Sequence, residues 1–171
     1  MESEAPYSPV AVANAFLKRA QEEGEPVTPM KLLKLVYYAY GWHLALTDEK
    51  LFEEGIEAWK HGPVVNSLWG VLQGEGEIVQ EPIQPFFGSP PDIDSDDKFT
   101  QELIDEVWDA YGDFRASKLR NLTHMPNTPW HQVHKKNEGE LPDHEPIEDW
   151  RIEEYFRSLL EESRDLTQEG R

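Results

Sequence analysis

The sequence predicts a mainly α-helical single domain with a minor sheet, about six helices arranged around one buried central helix. Three observations predict it. Residues 28–46, TPMKLLKLVYYAYGWHLAL, are apolar on nearly every side of a helical wheel, so this segment is expected at the centre of a core. Ser-Pro or Thr-Pro pairs stand at 8–9, 28–29 and 128–129. A Ser or Thr N-cap followed by Pro at the first helical position starts a helix, because the proline's missing N–H has no intrahelical partner there anyway. Apolar residues also recur at helical spacing over 99–114 and 152–160. At 171 residues, with six Trp, six Tyr and seven Phe, the chain has enough bulk for a real core although only 38% of it is apolar.

The elements follow in order. Residues 1–7 are expected as a flexible start. Ser8-Pro9 opens a first helix with Val12, Ala13, Phe16, Leu17 and Ala20 on its inner face, and Gly24 closes it. Thr28-Pro29 opens the central helix. Lys31 and Lys34 are its main polar residues and are expected to mark its one accessible edge. Residues 47–50 form a turn, and a short β element is expected near 52–60. Val64 to Leu72 reads as a third helix stopped by Gly74 and Gly76. Residues 77–98, with four Pro and a run of Asp, read as a long loop with a second short β element at 77–87. Phe99 to Thr123 reads as one long helix carrying Phe99, Leu103, Val107, Tyr111 and Phe114. A short helix follows Thr128-Pro129, and Pro142 and Pro146 bracket a linker. The last helix is carried by Ile152, Tyr155, Phe156, Leu159 and Leu160. The domain is expected to span 8–160, followed by a polar tail over 161–171.

The net charge of −18 is spread along the chain, with 6 basic and 13 acidic residues in 1–85 and 10 and 21 in 86–171. Such a surface repels phosphates, so direct nucleic-acid binding is not expected; it favours a basic protein partner and equally fits solubility or a salty cytoplasm. The chain has no cysteine, which excludes disulfides and thiolate chemistry. The longest apolar run, Leu35 to Leu46, is 12 residues and too short for a membrane span of about 20. With no apolar signal core in MESEAPYSP, a cytoplasmic protein is expected.

Residues 59–63 place Trp59, His61, Gly62 and Pro63 in one corner. His61 beside an aromatic suggests a general base in a pocket, but without a partner residue the reading favoured is an imidazole that pins the Gly62-Pro63 turn. His131 and His134 are three apart and share a helical face; with His61 or His124 they are the histidines to weigh for zinc. A metal-dependent hydrolase is therefore the second reading, but neither an HExxH pattern nor a cysteine pair supports it, and no metal or other cofactor is expected. The aspartates at 92, 94, 96 and 97 resemble the start of a calcium loop, but Asp97 and Leu103 stand where Gly and Glu are needed. No phosphate-binding loop or nucleophile motif occurs. Arg115 to Arg120 holds three cations, expected to pair with the protein's own carboxylates.

Three segments together resemble one family. KLLKLVYYAYGWHLAL is similar to its central helix, with Lys31, Leu32, Lys34, Leu35, Tyr37 and Trp42 in matching places. Trp59 to Val64 matches its Trp-x-x-Gly-Pro-Val corner, and Leu119 to His124 followed by Thr128-Pro129-Trp130 matches a Leu-x-x-Leu-Thr-His segment ending in Pro-Trp. The family is the Panacea domain, also called SocA-like or GepA-like phage-associated protein, and the resemblance covers about residues 8–160. It implies a small helical antitoxin of toxin–antitoxin pairs and prophages that silences a co-encoded toxin by direct contact. One branch of the family acts as an adaptor that delivers its toxin to a protease, so a protease is the second implied partner. The family has no established catalytic residues, and no enzyme is expected. The expected partner-binding surface comprises Lys31, Lys34, Trp59, Lys60, His61, Pro63, Asn66, His124 and Trp130.

Overall fold

A computed structural model describes residues 2–85 and 87–169. Among them, seven helices and three short strands follow in order: α1 (Pro9–Glu23), α2 (Pro29–Thr47), β1 (Ile56–Trp59), β2 (Gly62–Val64), α3 (Asn66–Leu72), α4 (Lys98–Tyr111), α5 (Ala116–Thr123), α6 (Pro129–Lys136), β3 (Pro146–Ile147) and α7 (Asp149–Glu169). The architecture is mainly helical with a small antiparallel sheet of order β2-β1-β3. All three Ser/Thr-Pro starts form as expected, with the side chains of Ser8, Thr28 and Thr128 accepting from the third residue onward.

Helix α2 is the core. Fourteen of its 19 residues are buried, and it touches α1, α3, α4, α5, α7 and β2. Its Gly41 is where α7 crosses closest, because a Cβ there would run into the ring of Phe156. Tyr37, Tyr38, Trp42 and Tyr155 surround that ring edge-on.

Several expectations are corrected. The 99–123 segment is two helices, not one. The break falls after Tyr111: the Lys31 ammonium donates to the Gly112 carbonyl, which a continuing helix would have bonded to residue 116. A Cβ at Gly112 would also lie 2.5 Å from the Trp108 carbonyl oxygen. Residues 77–85 and 87 carry no strand; Phe86 lies outside the described residues. The third strand is β3, whose Ile147 pairs with Ile56. Residues 77–85 lack a free sheet edge but are tied down by the Val79 amide, which donates to the Val27 carbonyl (2.8 Å), and by the amide of Asn14 on α1, which holds Ile83. The first β element is narrower than 52–60, and α3 starts at Asn66, two residues later than expected.

The N-terminal residues expected to be flexible are anchored. Ser3 bonds His43 Nε2 (2.8 Å), and buried Asp97 accepts from the Glu4 amide (2.8 Å) and the Tyr7 hydroxyl (2.6 Å). At the other end α7 continues as exposed helix through the polar segment to Glu169.

Candidate functional site

The Trp59–Val64 corner is a β-hairpin. Trp59 pairs with Gly62 and Ala58 with Pro63, leaving Lys60-His61 as a two-residue turn. Gly62 has φ 117°, and a Cβ there would lie 2.7 Å from Lys34 Nζ, so only glycine fits. The Lys34 ammonium rises from α2 beneath the hairpin and donates to the Pro63 carbonyl (3.0 Å). Lys34, not His61, pins this turn; His61 is exposed at its tip.

Helices α5 and α6 meet the hairpin from one side. The Thr128 hydroxyl donates back to the Thr123 carbonyl (2.7 Å), and Asn127 adopts φ 70°, so the chain reverses tightly after His124. That turn lays His124 on the Trp130 indole at 3.6 Å between ring centres, while His134, one helical turn beyond Trp130, stacks at 4.7 Å. Both rings are nearly parallel to the indole, and two imidazoles at those distances would collide on one face. Trp130 is therefore sandwiched between them. Its Nε1 donates to the Trp59 carbonyl (2.7 Å), which ties the sandwich to the hairpin.

Hairpin, sandwich and the 139–144 loop enclose a cleft of about 910 Å³. Its lining is Ala58, Trp59, Lys60, Arg120, His124, Trp130, His131, His134, Gly139, Leu141, Pro142, Asp143 and His144. In a chain of charge −18 this lining is rich in basic and imidazole groups. At the rim, Glu57 accepts from His144 Nδ1 (2.9 Å) and from Trp59 Nε1 (3.2 Å). Among the described residues, Arg120 and His124 in the lining and Lys34 behind it have no carboxylate partner. Burial lowers the Lys34 ammonium to about 7, and the neighbouring Arg120 adds to the shift. Burial, Arg120 and Lys34 together bring His124 down to about 4, opposed by the His61 backbone carbonyl. Arg120 Nε and His124 Nε2 are both buried without a hydrogen-bond partner.

Of the nine expected partner-binding residues, Trp59, Lys60, His124 and Trp130 line this cleft. His61 is exposed beside it, and Asn66 bonds His144 Nδ1 (3.2 Å) at its rim. The expected Lys31/Lys34 edge does not exist as a surface. Lys31 is 7% exposed and Lys34 fully buried, because their long stems run through the core to the Gly112 and Pro63 carbonyls. Pro63 is buried as well. Arg120, the 139–144 loop and His144 escaped the sequence reading. Arg120 was expected to pair with a carboxylate, but no ion pair forms at Arg115, Lys118 or Arg120 among the described residues. Lys118 lies over the Phe114 ring instead.

The histidines do not form a metal centre. His124 and His134 face opposite sides of one indole, and His131 Nδ1 accepts from the Asn127 amide (3.2 Å). Among the described residues no three His, Asp or Glu side chains are placed to hold one ion. The hydrolase reading needs His61, His124, His131 and His134 to converge, and among the described residues they form no such group. Nor is any helix among the described residues long and apolar enough to cross a membrane.

Fold and site together define a small, mainly helical domain with a cleft between its hairpin and α6. Comparison with known proteins is specific: the family model "Antitoxin SocA-like, Panacea domain" matches residues 32–131, from α2 to α6. The chain belongs to this family. It is also similar to Antitoxin SocA of Caulobacter vibrioides (strain NA1000 / CB15N), at 30% identity over 129 residues, 70% of this chain. The matched region spans 66% of that relative, just under two thirds of its length. No solved structure matches.

Proposed function

We propose that the protein is an antitoxin that neutralises a co-encoded toxin by direct binding, and that the cleft between hairpin and α6 is its contact. The observation that supports this most is family membership over much of the cleft: the hairpin, α5 and the start of α6 fall within residues 32–131, as does most of α2 beneath them, while His134 and the 139–144 loop lie beyond the matched span. The cleft gives that membership a physical site. Trp59 offers aromatic surface of the kind that anchors protein interfaces, the buried Trp130 holds the two imidazoles of the wall in place, and Lys60 and His61 project at the hairpin tip. The site-residue expectation is accordingly revised to Trp59, Lys60, His61, Asn66, His124 and Trp130, joined by Arg120, while Lys31, Lys34 and Pro63 act from within as supports.

The remaining surface is strongly acidic, which favours rapid encounter with a basic toxin of the kind that acts on RNA. The protein works in the cytoplasm, from a phage-derived or similar two-gene unit, within a domain spanning residues 8–160. The test is calorimetric titration of the purified protein with the product of the adjacent reading frame at low and high salt. A stoichiometric complex that weakens as salt rises is expected. Absence of a complex sinks the reading, and a salt-independent affinity sinks the steering part alone. Toxin half-life with and without the protein separates blocking from delivery to a protease.

A further inference from the structure

Arg120 and His124 in the cleft lining, with Lys34 buried behind them, form an unusual charge arrangement. Lys34 is fully buried, and among the described residues its three donors have one hydrogen-bond acceptor, the Pro63 carbonyl. Arg120 Nε and His124 Nε2 are also buried without a partner. The three groups are mutual electrostatic neighbours. What sets Arg120 and His124 apart is the lack of a carboxylate: Arg19, whose Nε is likewise buried without a hydrogen bond, lies against Asp105 and Asp109, and Arg151 meets Glu148. Among the described residues no carboxylate forms an ion pair with Arg120, His124 or Lys34. The carboxylates nearest the cleft are Asp143 in its lining and Glu57, already taken by His144. Buried donors left unpaired cost stability unless something completes them.

We propose that the cleft is an oxyanion site, in which Arg120 and His124, backed by Lys34, receive one carboxylate or phosphate group. The ligand's oxygens accept from Arg120 Nε–H, and the anion's charge draws a proton onto the unpartnered His124 Nε2, which then donates to it as well. Charge-assisted bonds of this kind are short, directional and stronger than neutral ones. A compact anion fits better than a nucleic acid, since the −18 surface around the cleft repels a polyanion. The inference deepens the antitoxin reading and rests on it for the source of a carboxylate: an acidic side chain of the bound partner would dock there. A free phosphate is the other source of the same chemistry.

The test is a titration of the ¹⁵N-labelled full chain, first with inorganic phosphate and then with acetate, at constant ionic strength. The resonances of Arg120 Nε–H, the His124 ring and Trp130 Nε1–H are followed. Saturable shifts confined to these groups are expected. Arg120→Gln should weaken binding about tenfold or more, the worth of one charge-assisted bond. Arg120→Lys should retain part of it, and Lys135→Gln, on the exposed face of α6, none of the loss. The Trp130 Nε1–H resonance, held by the Trp59 carbonyl, reports that each variant is folded. Saturation by both anions assigns a carboxylate-competent site, and saturation by phosphate alone assigns free phosphate. Shifts that rise linearly, or that persist in Arg120→Gln, overturn the proposal and leave ordered water as the partner of these groups. Growth rescue from the toxin is scored separately. Rescue without anion binding refutes the oxyanion site alone, and anion binding without rescue refutes the antitoxin reading alone.

Discussion

Replacing Lys34 with Met should flatten the pH dependence of stability between pH 7 and 9. Burial lowers this ammonium from 10.5 to about 7, so the folded chain releases a proton that the unfolded chain keeps across that window. Where the unfolded state binds more protons, stability rises with pH. The Lys34 contribution is therefore fully present above the unfolded value and is lost as pH falls towards 7. Working the two values through the linkage relation gives about 2 kcal/mol between pH 7 and 9. His124 titrates near 4, below the window. The tyrosines raised by burial, Tyr37 and Tyr38, act with the opposite sign and only at higher pH. Urea unfolding of wild type and Lys34→Met, followed by tryptophan fluorescence at pH 7, 8 and 9, reads the difference directly. Loss of the Pro63 hydrogen bond offsets the variant's whole curve without changing its slope. Parallel curves would refute a buried ammonium without a counter-charge.

Three further outcomes follow from packing and hydrogen bonding. Gly41→Ala adds about 1 kcal/mol of helix propensity, but its Cβ enters the Phe156 ring; overpacking costs about 1–3 kcal/mol and should win, lowering Tm, with partial recovery on adding Phe156→Leu. Trp130→Phe removes the 2.7 Å bond to the Trp59 carbonyl and shrinks the surface between the two imidazoles, costing about 1–2 kcal/mol in thermal unfolding; an unchanged Tm would contradict the sandwich as a structural tie. Asp97→Ala removes the α4 N-cap and the acceptor of Glu4 N–H and the Tyr7 hydroxyl, costing about 2–3 kcal/mol and speeding amide exchange at Glu4; unaltered exchange there would show that the N-terminal segment is held by other contacts.

What was legible in the sequence was whatever local chemistry decides. Thr28-Pro29 and Thr128-Pro129 announced their helices because cap and proline act within one turn. The all-round apolar character of 29–46 announced the central helix for the same reason. What failed depends on distant partners. Lys31 and Lys34 look solvent-facing by type, and only the carbonyls of Gly112 and Pro63, 81 and 29 residues away, explain their burial. The break after Tyr111 has the same origin. Strand β3 is two residues long, below any sequence pattern, and exists because β1 offers it an edge. In the candidate site, Trp59, His124 and Trp130 were visible as family motifs. Arg120 was not, because its distinction is a missing counter-charge.

Growth rescue tests the antitoxin reading most directly. Cells induced for the product of the adjacent reading frame are compared with cells that also express this protein, either wild type or with Trp59→Ala and Arg120→Gln combined. Full rescue by wild type and a marked loss with the cleft variant, at equal protein levels, is the expected result. Wild-type protein that leaves the cells arrested, or a cleft variant that rescues as well as wild type, would contradict neutralisation through this cleft.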